Sequence, residues 1–256
     1  MKVFFIVLAR DRRHVYEKIK ELEALKFSYK IVCGEDLNHP NVVYQPAHGK
    51  YAAINFSMSL IPGDTDIVAM NDVDTKIHNF DVALKGFDNP KIGLVFGTEL
   101  VRSGPQHLFF KLMNPIRRKL PIAGSGELLL IRRTVLEEVI PLKPCKAEDT
   151  LILFKVMEKN HEIFFCEDCY AETERTKTAS KEEDYKRKTV TGIFQALSYS
   201  HPPISIRIFY ILLPFASPLL LFAGENGYYW MRGILFGLKD FLRGDRTGIW
   251  KTNYLE

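Results

Sequence analysis

The stretch Ile67-Val68-Ala69-Met70-Asn71-Asp72-Val73-Asp74-Thr75 decides the fold. Its four leading apolar residues read as a strand buried on both faces, the kind found inside a parallel sheet. Two carboxylates two residues apart follow, where the strand gives way to a loop, so both can turn toward one hard cation. In open α/β sheets, ligands bind outside the carboxyl ends of the strands. Oxygen donors of this type suit Mg²⁺ or Mn²⁺ bridging a diphosphate. The pair Asp64 and Asp66 has the same spacing but precedes the strand, on the edge away from that crevice, and reads as turn chemistry.

Outward from this strand, strand and helix alternate through the first 100 residues. Residues 3–8 form a continuous apolar strand, 14–25 a charged amphipathic helix with Ile19, Leu22 and Leu25 on one face, and 29–33 and 41–44 further strands. Residues 51–60 read as a helix stopped by Pro62-Gly63. Repeated β-α units imply a doubly wound, mostly parallel sheet. Strands are then expected at 92–96, 127–131 and 163–166, and helices at 134–140, 149–159 and 185–198. The stretch 97–122, with Arg102, His107, Arg117 and Arg118 among aromatic residues, is less regular.

The chain has 256 residues, 46% hydrophobic and 26% charged, which is globular composition. A net charge of +4 is too mild to argue for nucleic acid. The charge is uneven: residues 185–256 carry a net +5, the rest −1. Residues 208–224 hold no charge but include Pro214 and Pro218; Tyr228, Tyr229, Trp230, Phe236, Phe241 and Trp250 follow, with Arg243, Arg246 and Lys251. Aromatic rings beside basic groups suit a headgroup interface. A helical hairpin packed on the body and a true membrane span are the other readings. This divides the chain into a body, 1–200, and a membrane-associating helical segment, 201–256. The apolar run at 3–8 is too short for a signal core, so the body is expected in a reducing cytoplasm, membrane-associated at the cytoplasmic face. Cys33, Cys145, Cys166 and Cys169 are too few and irregular for a disulfide framework. The single CxxC lacks a second ligand pair for zinc and reads as structural.

Glu148-Asp149 opens the helix expected at 149–159. Acids favour a helix N-terminus because of its dipole. The same position keeps a carboxylate ionised and ready to act as a general base.

In this order, the motifs over residues 1–200 resemble those of family 2 glycosyltransferases of the GT-A fold. The loop Ala9-Arg10-Asp11 stands where that family holds its nucleotide. Gly34-Glu35-Asp36 stands at its second-strand acid pair, leaving open which of Glu35 and Asp36 meets the base. Gly49-Lys50-Tyr51-Ala52-Ala53-Ile54-Asn55 resembles its GKxxAxN helix start, and Asp72-Val73-Asp74 its DxD. Gly124-Ser125-Gly126 with Arg132-Arg133 resembles its acceptor-side strand. Glu148-Asp149 matches its ED, and Thr173-Glu174 the TE that follows. Arg187-Lys188 and Gly192 lie where membrane-bound members carry Q-R-x-R-W and a later glycine. The tryptophan of that pattern, which grips a growing polysaccharide, is replaced by Thr189, arguing against a processive synthase.

The resemblance implies an inverting, non-processive transferase that takes a sugar from a UDP- or GDP-sugar. Asp74 holds Mn²⁺ or Mg²⁺ directly, and Asp72 directly or through ribose and water. Ala9, Glu35, Asp36, Lys50, Asp72, Arg187 and Lys188 bind the donor, the basic ones facing its diphosphate. Asp149 is the base, with Gly126 and Glu148 on the acceptor side. The greasy, basic tail suggests a lipid-linked hydroxyl or phosphate as acceptor, the alternative being a glycan acceptor with the tail serving only as an anchor. Two other enzyme classes fit less well. A haloacid-dehalogenase phosphatase needs Thr or Val where Lys76 stands. A sugar-nucleotide pyrophosphorylase needs glycines in the loop that reads Ala9-Arg10-Asp11-Arg12-Arg13. A non-catalytic, membrane-docked scaffold of the same fold is the third alternative, and intact Asp72, Asp74 and Asp149 argue against it.

Overall fold

The computed structural model describes residues 1–46, 48–174 and 178–249. Trp250 and Lys251 lie outside them. Strand β1 (Val3–Ala9) is followed by α1 (Val15–Leu25), β2 (Ser28–Cys33), β3 (Val42–Tyr44) and α2 (Lys50–Ser57). Next come β4 (Ile67–Asp72), β5 (Thr75–His78), α3 (Phe80–Leu84), β6 (Ile92–Val101) and α4 (Pro105–Lys119). β7 (Leu128–Arg132), α5 (Arg133–Val139), α6 (Glu148–Glu158) and β8 (Glu162–Thr173) complete the sheet layer, before α7 (Ala179–Tyr199), α8 (Ile204–Ala216) and α9 (Gly224–Leu242).

The described strands form one eight-stranded sheet in the order β3-β2-β1-β4-β7-β6-β8-β5. It is mixed: β7 runs antiparallel to both β4 and β6, and β5 antiparallel to β8, while the remaining pairs are parallel. β1 and β4 are buried along nearly their whole length, which is why they read as unbroken apolar runs. Alternate residues feed two cores. Phe4, Ile6, Leu8, Val68 and Met70 face the layer of α2, α5, α6, α7 and α8. Phe5, Val7, Ile67 and Ala69 face α1 and α3.

Three departures from the sequence reading have physical causes. The strand ending at Asp72 turns directly into β5, because Thr75 begins pairing with Thr173 of β8. The irregular 97–122 stretch holds a fifteen-residue helix, α4, that absorbs Pro115 within it. β8 runs to Thr173, seven residues past its expected end, because a bulge loops residues 167–169 out between the Gly97–Cys166 and Thr98–Tyr170 pairs. Cys166, just before that bulge, and Cys169, its last residue, are buried free thiols.

The apolar stretch Ile204–Leu242 is long and apolar enough, by length and composition, to cross a membrane. It is folded on itself: Gly224, at φ 66°, turns the chain between α8 and α9. α9 lies along α7 at close range. A Cβ on Gly233 would stand 2.6 Å from Lys186 Cβ and one on Gly237 2.6 Å from the Arg187 carbonyl, so only glycine permits this approach. Trp230 of α9 and Tyr210 of α8 are buried in the body.

Candidate functional site

The parallel strands β1, β2 and β4 end on one edge, where Ala9 pairs with Cys33 and Leu8 with Asp72. Of the expected donor-side residues, Ala9 and Asp72 therefore lie at this edge, with Glu35 and Asp36 just past the end of β2. Gly34 donates its N–H to the Ala9 carbonyl at 3.0 Å, and Glu35 lies 3.3 Å from the Arg12 guanidinium, while Asp36 is exposed in the following loop. Asp64 and Asp66 sit at the opposite end of β4, tied to Lys2.

Lys50 is the centre of the site. Its ammonium donates to both Asp72 oxygens, at 2.6 and 2.7 Å, and stands 3.8 Å from Glu148 Oε1. The end of β4 and the start of α6 therefore meet at one cation. Burial works against the Lys50 charge, but the Asp72 carboxylate, joined by Glu148 once that is ionised and by Asp74, outweighs it and holds the amine protonated. Asp74 is exposed. A volume of about 770 Å³ opens beside it, lined among others by His14, Glu17, Arg102, Glu172 and Glu174.

Asp149, the second residue of α6, lies against the glycine turn. Its Oδ1 accepts the Thr150 N–H at 2.6 Å. A Cβ on Gly126 would stand 3.3 Å from its Oδ2, and one on Gly124 2.7 Å from its backbone carbonyl. Glycine at 124 thus lets two backbones touch, and glycine at 126 leaves the carboxylate open on one side. Burial raises the Asp149 pKa, against the Thr150 hydrogen bond and the charge of Lys50.

Glu148 is pushed up to about 8, first by burial and then by Asp149, with Lys50 pulling it back. The folded chain therefore holds a proton that the unfolded chain releases near the ordinary 4.5. This contribution to stability is complete below the unfolded value and is lost as pH rises through the folded one. Glu148→Gln is expected to flatten that decline, whose slope in the wild type reaches at most about 1.4 kcal/mol per pH unit. Urea unfolding in EDTA at pH 5, 6.5 and 8 measures it, and parallel profiles for the two chains would refute the assignment.

Of the two further cations expected at the diphosphate besides Lys50, Arg187 is engaged elsewhere: its Nε and Nη2 donate to Asp240 of α9 at 2.5 and 2.9 Å. Lys188 feels burial and then the like charge of Lys146, and both lower its pKa against the pull of Asp184. Gly192 has a packing role. A Cβ there would overlap the Ala147 backbone N, so α7 rests directly on the turn that launches Glu148 and Asp149. Asn55 clamps the same approach, donating to the Leu142 carbonyl at 2.9 Å and accepting the Leu142 N–H at 2.7 Å.

Several residues of the site carry no sequence motif. Lys18 of α1 is buried, donating to Glu21 Oε2 and Asn71 Oδ1 at 2.7 Å each and to the Thr75 carbonyl. Asn71 Nδ2 donates to Thr75 Oγ1 at 2.8 Å and to the Glu127 carbonyl, and Thr75 Oγ1 donates to the Asp72 carbonyl at 2.9 Å. This network fixes the turn that presents Asp72 and Asp74. Its only trace in the sequence is the Lys18/Glu21 spacing on one helix face. The chain also returns to the site after α9. Gln195 donates to the carbonyls of Asp245 and Thr247 at 3.0 and 3.2 Å, and Gly248 lies so close to Tyr51 that a Cβ there would stand 2.5 Å from its ring.

No family model matches the sequence, and no curated protein does. Solved structures do match. A mannosyltransferase from Pyrobaculum calidifontis, solved with GDP-mannose and Mn²⁺, superimposes with a TM-score of 0.73 at 14% identity, covering 94% of this chain and 87% of its own. GalNAc-T7, solved with UDP, GalNAc and Mn²⁺, gives 0.56 at 10% identity over 96% of this chain and 56% of its own. The Mycobacterium tuberculosis glucosyl-3-phosphoglycerate synthase gives 0.52 at 15% identity over 76% and 80%. The fold of this chain is the GT-A fold of these glycosyltransferases.

Proposed function

We propose that the chain is an inverting glycosyltransferase that moves a sugar from a UDP- or GDP-sugar to a hydroxyl or phosphate of a lipid-linked acceptor at the cytoplasmic membrane face. One observation carries this reading: the Lys50 ammonium bridges Asp72 at the DxD strand end and Glu148 at the ED helix start, next in sequence to the candidate base Asp149.

The residues fit a divalent cation. Asp72 already holds a cation, the Lys50 ammonium, on both oxygens, and Asp74 is open to solvent beside it. Among the described residues no cluster of three or more His, Cys, Asp or Glu forms a closed cage. Two carboxylates with other positions open suit Mg²⁺ or Mn²⁺ shared with substrate phosphates. Asp74 and Asp72 would hold the ion, which when bound supplies positive charge to the departing diphosphate. Lys50 adds its own charge at the same place. Asp149 accepts the proton of the acceptor hydroxyl as its oxygen attacks the anomeric carbon in line.

The complexes of the Pyrobaculum enzyme and GalNAc-T7 with nucleotide and Mn²⁺ support the donor and metal classes. Exposed apolar side chains on α8 support the membrane face. Calorimetry with UDP- and GDP-sugars in Mn²⁺ and in EDTA tests the donor reading. Asp74→Ala is expected to weaken Mn²⁺-dependent binding by about tenfold or more, the worth of one charge-assisted contact. Equal affinity in EDTA and Mn²⁺ would rule the metal out. Absence of both binding and slow donor hydrolysis would favour the scaffold.

A further inference from the structure

α4 contributes nothing to the chemistry with its outer face, yet that face is apolar. Leu108, Leu112 and Ile116, one turn apart, are 37, 55 and 42% exposed. The inner face fixes them there. Phe110 and Arg117 are buried, Gln106 donates to Glu182 of α7 at 3.0 Å, and Phe109 meets the Trp230 ring of α9 at 5.4 Å. Just past α4, the Ile122 carbonyl accepts the Tyr210 hydroxyl of α8 at 2.6 Å. The helix thus lies beside the C-terminal segment. There Ile208, Ile211 and Phe215 of α8, and Leu219 and Phe222 after it, are exposed, Phe222 to 92%.

Charge decides what covers this surface. α4, α8 and the segment Ser217–Ala223 contain no Asp or Glu, and they carry Lys111, Arg117, Arg118, Lys119 and Arg207. Arg117 pairs with Glu99 and Arg118 with Glu167. Among the described residues Lys111, Lys119 and Arg207 have no ion-pair partner. A second copy meeting this face about a two-fold axis would set like charges against each other. An anionic bilayer complements it, taking apolar side chains below the headgroups and basic ones among them.

We infer that α4 is a second lipid-contact element, which docks beside the α8 segment on an anionic phospholipid surface. This rests on the membrane-face reading above and makes it specific. Docking through α4 brings its C-terminal end at Lys119, five residues before Gly124, to the bilayer. The acceptor side of the site then faces the lipid.

Flotation of the full-length chain with phosphatidylcholine vesicles, with and without phosphatidylglycerol, tests this. The wild type is expected to float with the anionic vesicles and to be released by high salt. Leu112→Glu/Ile116→Glu is expected to lose at least tenfold in vesicle affinity, and Phe215→Glu/Phe222→Glu likewise. Donor affinity by calorimetry should stay unchanged in both, which shows that they fold and separates this proposal from the donor reading. Undiminished flotation of the α4 variant, with loss only in the α8-segment variant, would overturn the role of α4. So would equal wild-type binding to neutral vesicles. A wild-type dimer that the α4 variant converts to monomer in sedimentation would also overturn it, in favour of a second copy.

Discussion

Asp149→Asn is expected to lower turnover by about 10²–10⁴-fold while leaving donor affinity nearly unchanged. The substitution keeps the shape: the amide oxygen can still accept the Thr150 N–H that Oδ1 takes at 2.6 Å, and Gly126 still leaves the other side open. What it removes is a basic oxygen. Burial raises the pKa of Asp149, so its carboxylate binds a proton more strongly than an ordinary one, which helps a general base. The ionised form is the active one. Turnover should therefore fall as pH drops through a limb above the ordinary 3.8, and the limb should vanish in the Asn variant. Glu148 makes a poor substitute because its pKa near 8 leaves it largely protonated at neutral pH. Glu148→Gln run beside it is the control. If that variant collapses and Asp149→Asn does not, the base is Glu148.

Legibility differed between the parts of this site for physical reasons. The positions of Asp72 and Asp149 in the fold were readable because each sits at a boundary, a buried strand's end and a helix start, which local patterning marks. The Rossmann-like half was readable for the same reason. The long-range parts were not. Nothing local says that Arg187 faces Asp240 fifty-three residues on, or that Lys18 points inward to Asn71 instead of into solvent. A lysine on a charged helix is normally solvated, and only the partners at its tip make burial tolerable. α4 was hidden by Pro115, which local rules treat as a breaker. The antiparallel placement of β7 comes from its slot between β4 and β6 and not from the apolar run 128–131, which fits either direction.

Arg117 illustrates both points and carries the largest expected effect on stability. Its guanidinium is 4% exposed and pairs with Glu99, 5% exposed, at 3.1 Å. It lies 5.4 to 5.9 Å from the rings of Phe96, Phe110 and Phe165 and donates to the Gly124 carbonyl at 3.3 Å. Arg117→Met strands the Glu99 carboxylate in this apolar surround, and breaking such a pair costs about 3–5 kcal/mol. Removing the orphaned charge as well should restore much of that, because an apolar pair of similar volume is often neutral or better. Glu99→Leu/Arg117→Met is therefore expected to unfold at higher urea than Arg117→Met alone. Its chemistry should not recover in step. Without the Arg117 donor the Gly124 carbonyl is released, and Gly124 and Gly126 form the wall against which Asp149 is set. The double variant should keep donor affinity and lose turnover, a fall in kcat with little change in donor KM. A double variant as unstable as the single would show that the buried charge is not what the pair protects. One with wild-type turnover would show that the glycine turn holds Asp149 without Arg117.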